Sequence, residues 1–210
     1  MTRQAYRRIR DGILSGEMGG DHRLSEQVLA QALGISKSPI REALNQLEVE
    51  GLIRIQPRRG AFVRTFSLRD VEEIYDVRAA LECHLMRSVR LSPAHNARLH
   101  RLLDDARRYF RAQDGPRYVR ADVAFHGLLA HCGDNGRLQQ ILDRMCGQLL
   151  LLRRRTYSLT GERSAQEHHQ ILQALEAGDN RKAERLMAHH IGRVRGALLE
   201  TMRGNGTAAR

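Results

Sequence analysis

Apolar positions recur at helical spacing through most of this 210-residue chain, with one short interruption of alternating character. Between Gln4 and Ser15, Tyr6, Ile9, Ile13 and Leu14 fall on one side while Arg7, Arg8 and Arg10 fall on the other. That spacing predicts an amphipathic helix, ended by Gly16, Gly19 and Gly20. A denser pattern follows from Leu24 to Val63. Ser25 is placed to cap a helix bearing Val28, Leu29, Ala32 and Leu33, with Glu26 in its first turn. Gly34 ends that helix, and Ile35 plugs the turn. Ser38 can cap a second helix with Pro39 at its first position, so that Ile40, Ala43, Leu44 and Leu47 face the first. After Gly51, Leu52-Ile53-Arg54-Ile55 alternates like a strand, Arg58-Arg59-Gly60 makes a basic tip, and Ala61-Phe62-Val63 returns.

Beyond Phe66 the period is helical throughout. Ser67 can cap the next helix, with Asp70 placed for a capping box. Helices are expected near 68–90, 94–113, 117–133, 136–157, 164–177 and 181–203. Between them lie Ser92-Pro93, Asp114-Gly115-Pro116, Gly133 to Gly136, Leu159 to Glu162, and Gly178-Asp179-Asn180. The fold class is therefore mainly α. A winged helix-turn-helix domain over 1–66 precedes an antiparallel six-helix bundle over 67–203, and 204–210 is a frayed tail.

A helix-turn-helix alone is a common hairpin, but a basic wing at this distance makes DNA the expected partner. Lys37, Ser38, Arg41 and Asn45 occupy the exposed side of the second helix. Arg41 can bond guanine O6 and N7, and Ser38 or Asn45 can reach base edges or phosphates. Arg58, Arg59 and Gly60 at the wing tip suit a phosphate or a narrow minor groove. The net charge of +11 agrees with a polyanionic partner without locating it. Through Phe66 the chain carries eleven Lys and Arg against seven Asp and Glu, so most of the excess lies downstream. Three scattered cysteines without a Cys-x-x-Cys pair, no membrane-length apolar run and no secretory signal together indicate a cytoplasmic protein.

Ten histidines raise the question of metal. Asp122 and His126 stand four residues apart beside Val119, Val123, Leu129 and Ala130, and so face inward. Two doublets are sorted by their neighbours. His168 leads to Ile171, Leu172 and Leu175, whereas His169 leads to Gln173 and Glu176. His190 sits with Leu186, Met187 and Val194, whereas His189 sits with Arg185 and Arg193. His168 and His190 are nearly equidistant from the turn at Gly178, so antiparallel neighbours bring them level. Three imidazoles and the Asp122 carboxylate suit a divalent transition metal, Zn2+ first, with Ni2+ and Mn2+ as alternatives. A lone histidine in such a place is more often a hydrogen-bonded core residue; four inward ligand types favour a site.

These residues carry a resemblance. Leu29-Ala30, Gly34, Ser36 through Leu44, Glu50 to Leu52 and Pro57 to Val63 resemble the winged helix of GntR-family bacterial transcription regulators. Lys37 stands where that family more often has arginine, which weakens bidentate readout. Asp122 through His126 followed by Asn135, together with Glu167-His168, Gly178-Asp179, Ala183 and His190, are similar to the FCD effector domain, and Arg78-x-x-Leu81-Glu82 to its first helix. Six helices resemble its VanR-like subgroup. The resemblance implies metal ligation by Asp122, His126, His168 and His190, with Arg78 and Asn135 at an effector site. Short paired half-sites need two recognition helices, so a homodimer on a short inverted-repeat operator is expected, and the resemblance further implies a small organic-acid or sugar-acid effector that releases a repressor. Arg78 is equally readable as the ion-pair partner of Glu82. The run Arg153-Arg154-Arg155 reads as a mostly solvated face with at most one or two members inward, and Tyr75, Phe125 and Tyr157 as core or pocket wall. Two other readings compete: a DNA-binding dimer with a structural metal, and a metal-dependent enzyme. No spare inward acid is evident as a general base, so the chain is read as a regulator and not an enzyme.

Overall fold

The computed structural model describes residues 1–20 and 22–207, with side chains as far as Gly204. The chain divides into two compact units, residues 1–65 with 144–151 and residues 66–143 with 152–210. The sequence pattern places all of 67–203 in one domain; here residues 144–151 group with the first unit.

In the first unit, α1 (Thr2–Ser15), α2 (Glu26–Leu33) and α3 (Lys37–Val49) are joined by a three-stranded sheet. Its strands are β1 (Arg23–Leu24), β2 (Ile53–Gln56) and β3 (Gly60–Val63), in the order β1-β3-β2. Strand β1 is an addition to the elements expected from the sequence. It is two residues long and pairs antiparallel with β3, Arg23 opposite Phe62 and Leu24 opposite Ala61. The core gathers Ala5, Ile9, Ile13, Ile40, Ala43, Leu47, Leu52 and Ile53, all at most 1% exposed. Val28, expected on the inner stripe of α2, is 62% exposed, because a helix of two turns needs only Leu29 and Ala30 to seat it. Ser25 caps α2 by accepting from the Val28 amide, and Gly34 ends it at φ 64°. Helix α3 begins earlier than expected, with Ser36 and not Ser38 as its N-cap. Pro39 then sits at the third helical position, where an amide has no intrahelical partner to lose.

The second unit contains α4 (Leu68–Met86), α5 (Pro93–Arg111), α6 (Gly115–His131), α8 (Tyr157–Glu176) and α9 (Asn180–Thr207). Helix α7 (Gly136–Arg154) is the one that both units draw on. The expected capping box opens α4: Ser67 accepts from the Asp70 amide while Asp70 accepts from the Ser67 amide. Helix α4 packs on α9, α5 on α6 and α8, and α8 on α9. The break between α7 and α8 lies at Arg155–Thr156, and α8 runs through 159–162, where the sequence pattern predicts a loop. Gly161 is tolerated there because a Cβ at that position would meet the Phe110 ring at 2.6 Å. Helix α9 continues to Thr207, past the expected fraying point at Gly204, since each added residue needs only one further backbone bond. The rest of the expected tail, 208–210, lies outside the described residues. None of the three cysteines forms a disulfide, and of them only Cys132 is buried.

This core generates a direct check. Leu47→Ala, at a position with no exposure, should cost about 2–5 kcal/mol in urea unfolding. Val49→Ala, two residues on and 72% exposed, should change stability by no more than about 0.5 kcal/mol. Equal losses at the two positions would mean α3 presents a different face.

Candidate metal centre and nucleic-acid interface

Helices α6, α8 and α9 bring His126, His168 and His190 together in the interior of the second unit, none more than 5% exposed. Among the described residues they are the one group of His, Cys, Asp or Glu with ligand atoms converging for a metal. His126 Nε2 lies 3.0 Å from His168 Nε2, which lies 3.1 Å from His190 Nε2. Behind two of the rings stand carboxylates. His126 Nδ1 is 2.6 Å from Glu82 Oε2, and His190 Nδ1 is 2.8 Å from Glu167 Oε2. Burial raises both glutamate pKa values, but it is outweighed: Arg78 and His126 bring Glu82 down to about 2, and His190 and Arg193 do the same for Glu167.

Ionised carboxylates can only accept, so His126 and His190 donate from Nδ1 and turn Nε2 lone pairs toward each other's neighbourhood. His168 Nε2 stands between them and carries at most one proton while neutral. At most one of the two short approaches can therefore be a hydrogen bond, and the other leaves a lone pair facing a nitrogen with no proton for it unless a cation takes that place. Protonating the cluster does not resolve this. Burial first, then His190 and His126, hold His168 well below its ordinary pKa, and burial depresses His190 to about 4. Nitrogens bonded to a tetrahedral ion at about 2.0–2.1 Å lie roughly 3.3 Å apart, close to the spacing here. The carboxylate–histidine pairs are the usual outer support of such a site. The three histidines fit a divalent metal.

Asp122, expected as a fourth ligand, is engaged elsewhere. Both its oxygens are held by Arg153, Nε to Oδ2 at 2.8 Å and Nη2 to Oδ1 at 2.9 Å, and Tyr118 donates to Oδ1 at 3.2 Å. Burial opposes ionisation of Asp122, yet Arg153 holds its pKa well below the carboxylate range. Arg153 itself is buried and also donates to Tyr118, Thr156, Thr160 and Ser164. It is the inward member of an arginine run whose pattern suggests a mainly solvated face; Arg155 is exposed. Arg78 is buried and bonds Glu82 at 2.6 Å, the ion-pair alternative that the sequence leaves open. Asn135 does not join the cluster. Its side-chain oxygen accepts from the Arg137 and Leu138 amides as the N-cap of α7. The outer carboxylates are the residues that sequence reasoning misses, although Glu82 four positions after Arg78 and Glu167 beside His168 carry a signal.

In the first unit, Lys37, Ser38, Arg41 and Asn45 are all exposed on α3. Glu26 holds Arg41 by two bonds, Nε to Oε1 at 3.1 Å and Nη2 to Oε2 at 2.8 Å. Arg58 and Arg59 are exposed at the wing tip, and Arg58 adopts φ 63°, an unusual backbone for a side chain of its size. The wing is tethered by Glu48, which accepts from the Ile55 amide at 2.6 Å. Arg23, from the additional strand, joins Lys37, Arg41, Asn45 and Arg58 around a groove of about 490 Å³.

A winged helix-turn-helix followed by a helical unit with a buried histidine cluster defines a DNA-binding regulator. Comparison agrees. The family model for bacterial regulatory proteins of the gntR family matches residues 1–63, and the FCD domain model matches residues 73–193. The chain belongs to the GntR family of DNA-binding transcription regulators, in the branch that carries an FCD domain. It is 29% identical over 210 residues to the HTH-type transcriptional regulator LutR of Bacillus subtilis, across 89% of this chain and 95% of that one. It is 32% identical over 146 residues to the gluconate operon transcriptional repressor of the same species, across 69% and 59%. A crystal structure of a GntR regulator from Rhodococcus sp. RHA1 shares its fold at TM-score 0.81 and 24% identity, covering 95% of this chain and 97% of that one.

The geometry sets an expectation for metal analysis by mass spectrometry. His168→Ala should lose bound metal and His169→Ala, on the outer side of α8, should retain it. Glu167→Gln should weaken metal affinity by about 10–100-fold through loss of the outer support. Metal loss on His169→Ala equal to that on His168→Ala would refute the ligand set.

Proposed function

We propose that this protein is a repressor whose operator affinity is set by a small carboxylate-type effector bound at a divalent metal in the FCD domain. The observation that carries the reading is the convergence of three buried imidazole nitrogens, two of them backed by ionised glutamates. His126, His168 and His190 would hold the ion, and a bound ion would offer a Lewis-acidic position to an oxygen of the effector. Arg78, with Nη1 unpartnered among the described residues, is suited to meet an anionic group beside it. The gluconate operon repressor, whose name joins it to a sugar-acid operon, supports an acid as effector.

On the DNA side, Arg41 is the base-reading residue. Glu26 keeps its guanidinium extended from α3, while Lys37, Ser38, Asn45, Arg58, Arg59 and the Gly60 turn meet base edges and phosphates. A short inverted repeat requires two recognition helices, so the working species is a homodimer, placed in the cytoplasm with the DNA it regulates. No helix among the described residues is long and apolar enough to cross a membrane. The enzyme reading is disfavoured by the pairing of Glu82, Asp122 and Glu167 with arginines, which leaves none of them free as a general base.

The test is operator binding by fluorescence anisotropy, with metal-replete and chelated protein, across a panel of organic and sugar acids. An acid should lower operator affinity only when metal is present. Arg41→Ala should abolish specific binding and leave metal content unchanged, since a bidentate bond to a base supplies about 1–3 kcal/mol of discrimination. Effector response that survives chelation would overturn the metal-assisted reading, and full operator affinity in Arg41→Ala would overturn the recognition-helix assignment.

A further inference from the structure

Resting on the metal reading above, we propose that Arg153 and the metal site share Asp122, and that the effector carries two anionic groups, one of which Arg153 receives when Asp122 turns to the ion.

Charge balance is the first constraint. Three carboxylates stand in and around the histidine cluster, and each has its own arginine. Glu82 pairs with Arg78 at 2.6 Å, Asp122 with Arg153 at 2.8 Å, and Glu167 with Arg193 at 2.6 Å. Arg163 and His189 reach Glu167 from solvent. With neutral imidazoles the buried cluster is therefore balanced before any ion enters. A divalent ion adds two positive charges with no carboxylate left over, and uncompensated charge in a protein interior is costly. The compensating charge has to come from outside the chain.

Among the described residues, Asp122 is the one of the three carboxylates that no imidazole hydrogen-bonds, although Arg153 and Tyr118 hold it by three bonds. Glu82 and Glu167 are each fixed on two sides, by an arginine and by an imidazole Nδ1. Asp122 is held by Arg153 and the Tyr118 hydroxyl and by no imidazole hydrogen bond. It lies one turn before His126 on α6, on the same side of that helix. Once Asp122 leaves, the Arg153 Nε donor is bare, while Nη2 keeps the Tyr118 hydroxyl and Ser164. Thr156, Thr160 and Ser164 still anchor the rest of the guanidinium, so Arg153 keeps its position while its carboxylate partner changes.

A second observation points the same way. Arg78 Nη1 and the Tyr75 hydroxyl, on residues 2% and 1% exposed, have no hydrogen-bond partner among the described residues. Tyr75 lies beside Arg78, whose guanidinium carbon is 5.5 Å from the centroid of its ring. Unpaired buried donors beside a guanidinium are the surroundings an anionic oxygen needs. Two anionic groups, one for the ion and one for Arg153 with these donors, restore neutrality. A monoanion leaves one positive charge buried.

The experiment uses the full chain loaded with Zn2+, with metal content measured on every preparation. Malonate, succinate and tartrate are each titrated calorimetrically against their own monoamides. At least one dianion should bind about tenfold or more tightly than its monoamide, the difference expected when a charged hydrogen bond is missing. Arg153→Gln should erase that preference. In a chelator competition it should hold Zn2+ at least as tightly as the parent, because Asp122 is released to the ion, whereas Asp122→Asn should hold it less tightly. A merely structural Arg153 would instead weaken metal retention when replaced. Arg153→Lys keeps the charge without the two-pronged geometry. It should reduce the preference without erasing it, and it serves as the readout if the glutamine variant does not fold. Equal binding of dianions and monoamides to metal-loaded protein, or no binding of any dianion, would overturn this inference and leave the metal reading standing. Absence of Zn2+ uptake by the parent would overturn both.

Discussion

His168 Nε2, at 3.0 Å from His126 Nε2 and 3.1 Å from His190 Nε2 inside a helical core, imposes the strongest constraint in this molecule. Neutral rings cannot satisfy three converging lone-pair positions with one proton, and burial keeps His168 and His190 from taking more. The surrounding polar residues are arranged around that problem. Glu82 and Glu167 set the tautomers of His126 and His190, and Arg78 and Arg193 keep those glutamates ionised. Removing one member of a buried ion pair leaves its partner uncompensated, at about 3–5 kcal/mol. The cluster therefore also ties α4, α6, α8 and α9 together through Glu82, His126, His168 with Glu167, and His190 with Arg193.

The winged helix meets a different requirement. Its polar residues stay in solvent and depend on placement. The Ile40, Ala43, Leu44 and Leu47 face of α3 is buried, which leaves Lys37, Arg41 and Asn45 on the opposite side. Glu26, one residue after the α2 cap, then fixes the direction of Arg41 at the surface. Glu48 secures the wing through the Ile55 amide, and Arg58 accepts a left-handed backbone at its tip. A residue held in a sparsely populated conformation at an exposed tip agrees with a functional role for that turn.

Much of this is legible in the sequence because it is periodic. The inward histidines separate from His169 and His189 by their apolar neighbours at three and four residues. The capping box at Ser67 and Asp70 and the glycine at 34 follow local chemistry that a sequence displays directly. What escapes is either short or long-range. A two-residue strand has no period to read, so β1 and its Arg23 are invisible. The end of α7 lacks glycine or proline; it turns at Thr156, a polar residue that is fully buried. Arg153 is hidden among three adjacent arginines, and its partner Asp122 lies on another helix 31 residues away. Spacing along one helix can show that Asp122 faces inward. It cannot show which charge meets it there.

The partner of Asp122 decides what kind of site this is. A carboxylate free to bind a metal and a carboxylate already matched to a buried guanidinium look identical in sequence, yet they make different electrostatic environments. The first gives an ion part of its counter-charge in advance. The second leaves the whole counter-charge to be supplied by rearrangement or by a ligand. A ligand shifts an equilibrium only by the difference in its affinity for the two states, so a centre whose balance is completed from outside is better suited to sensing than one already complete. Here each acid already has its arginine around the three imidazoles, the arrangement that leaves any added charge to be balanced from elsewhere.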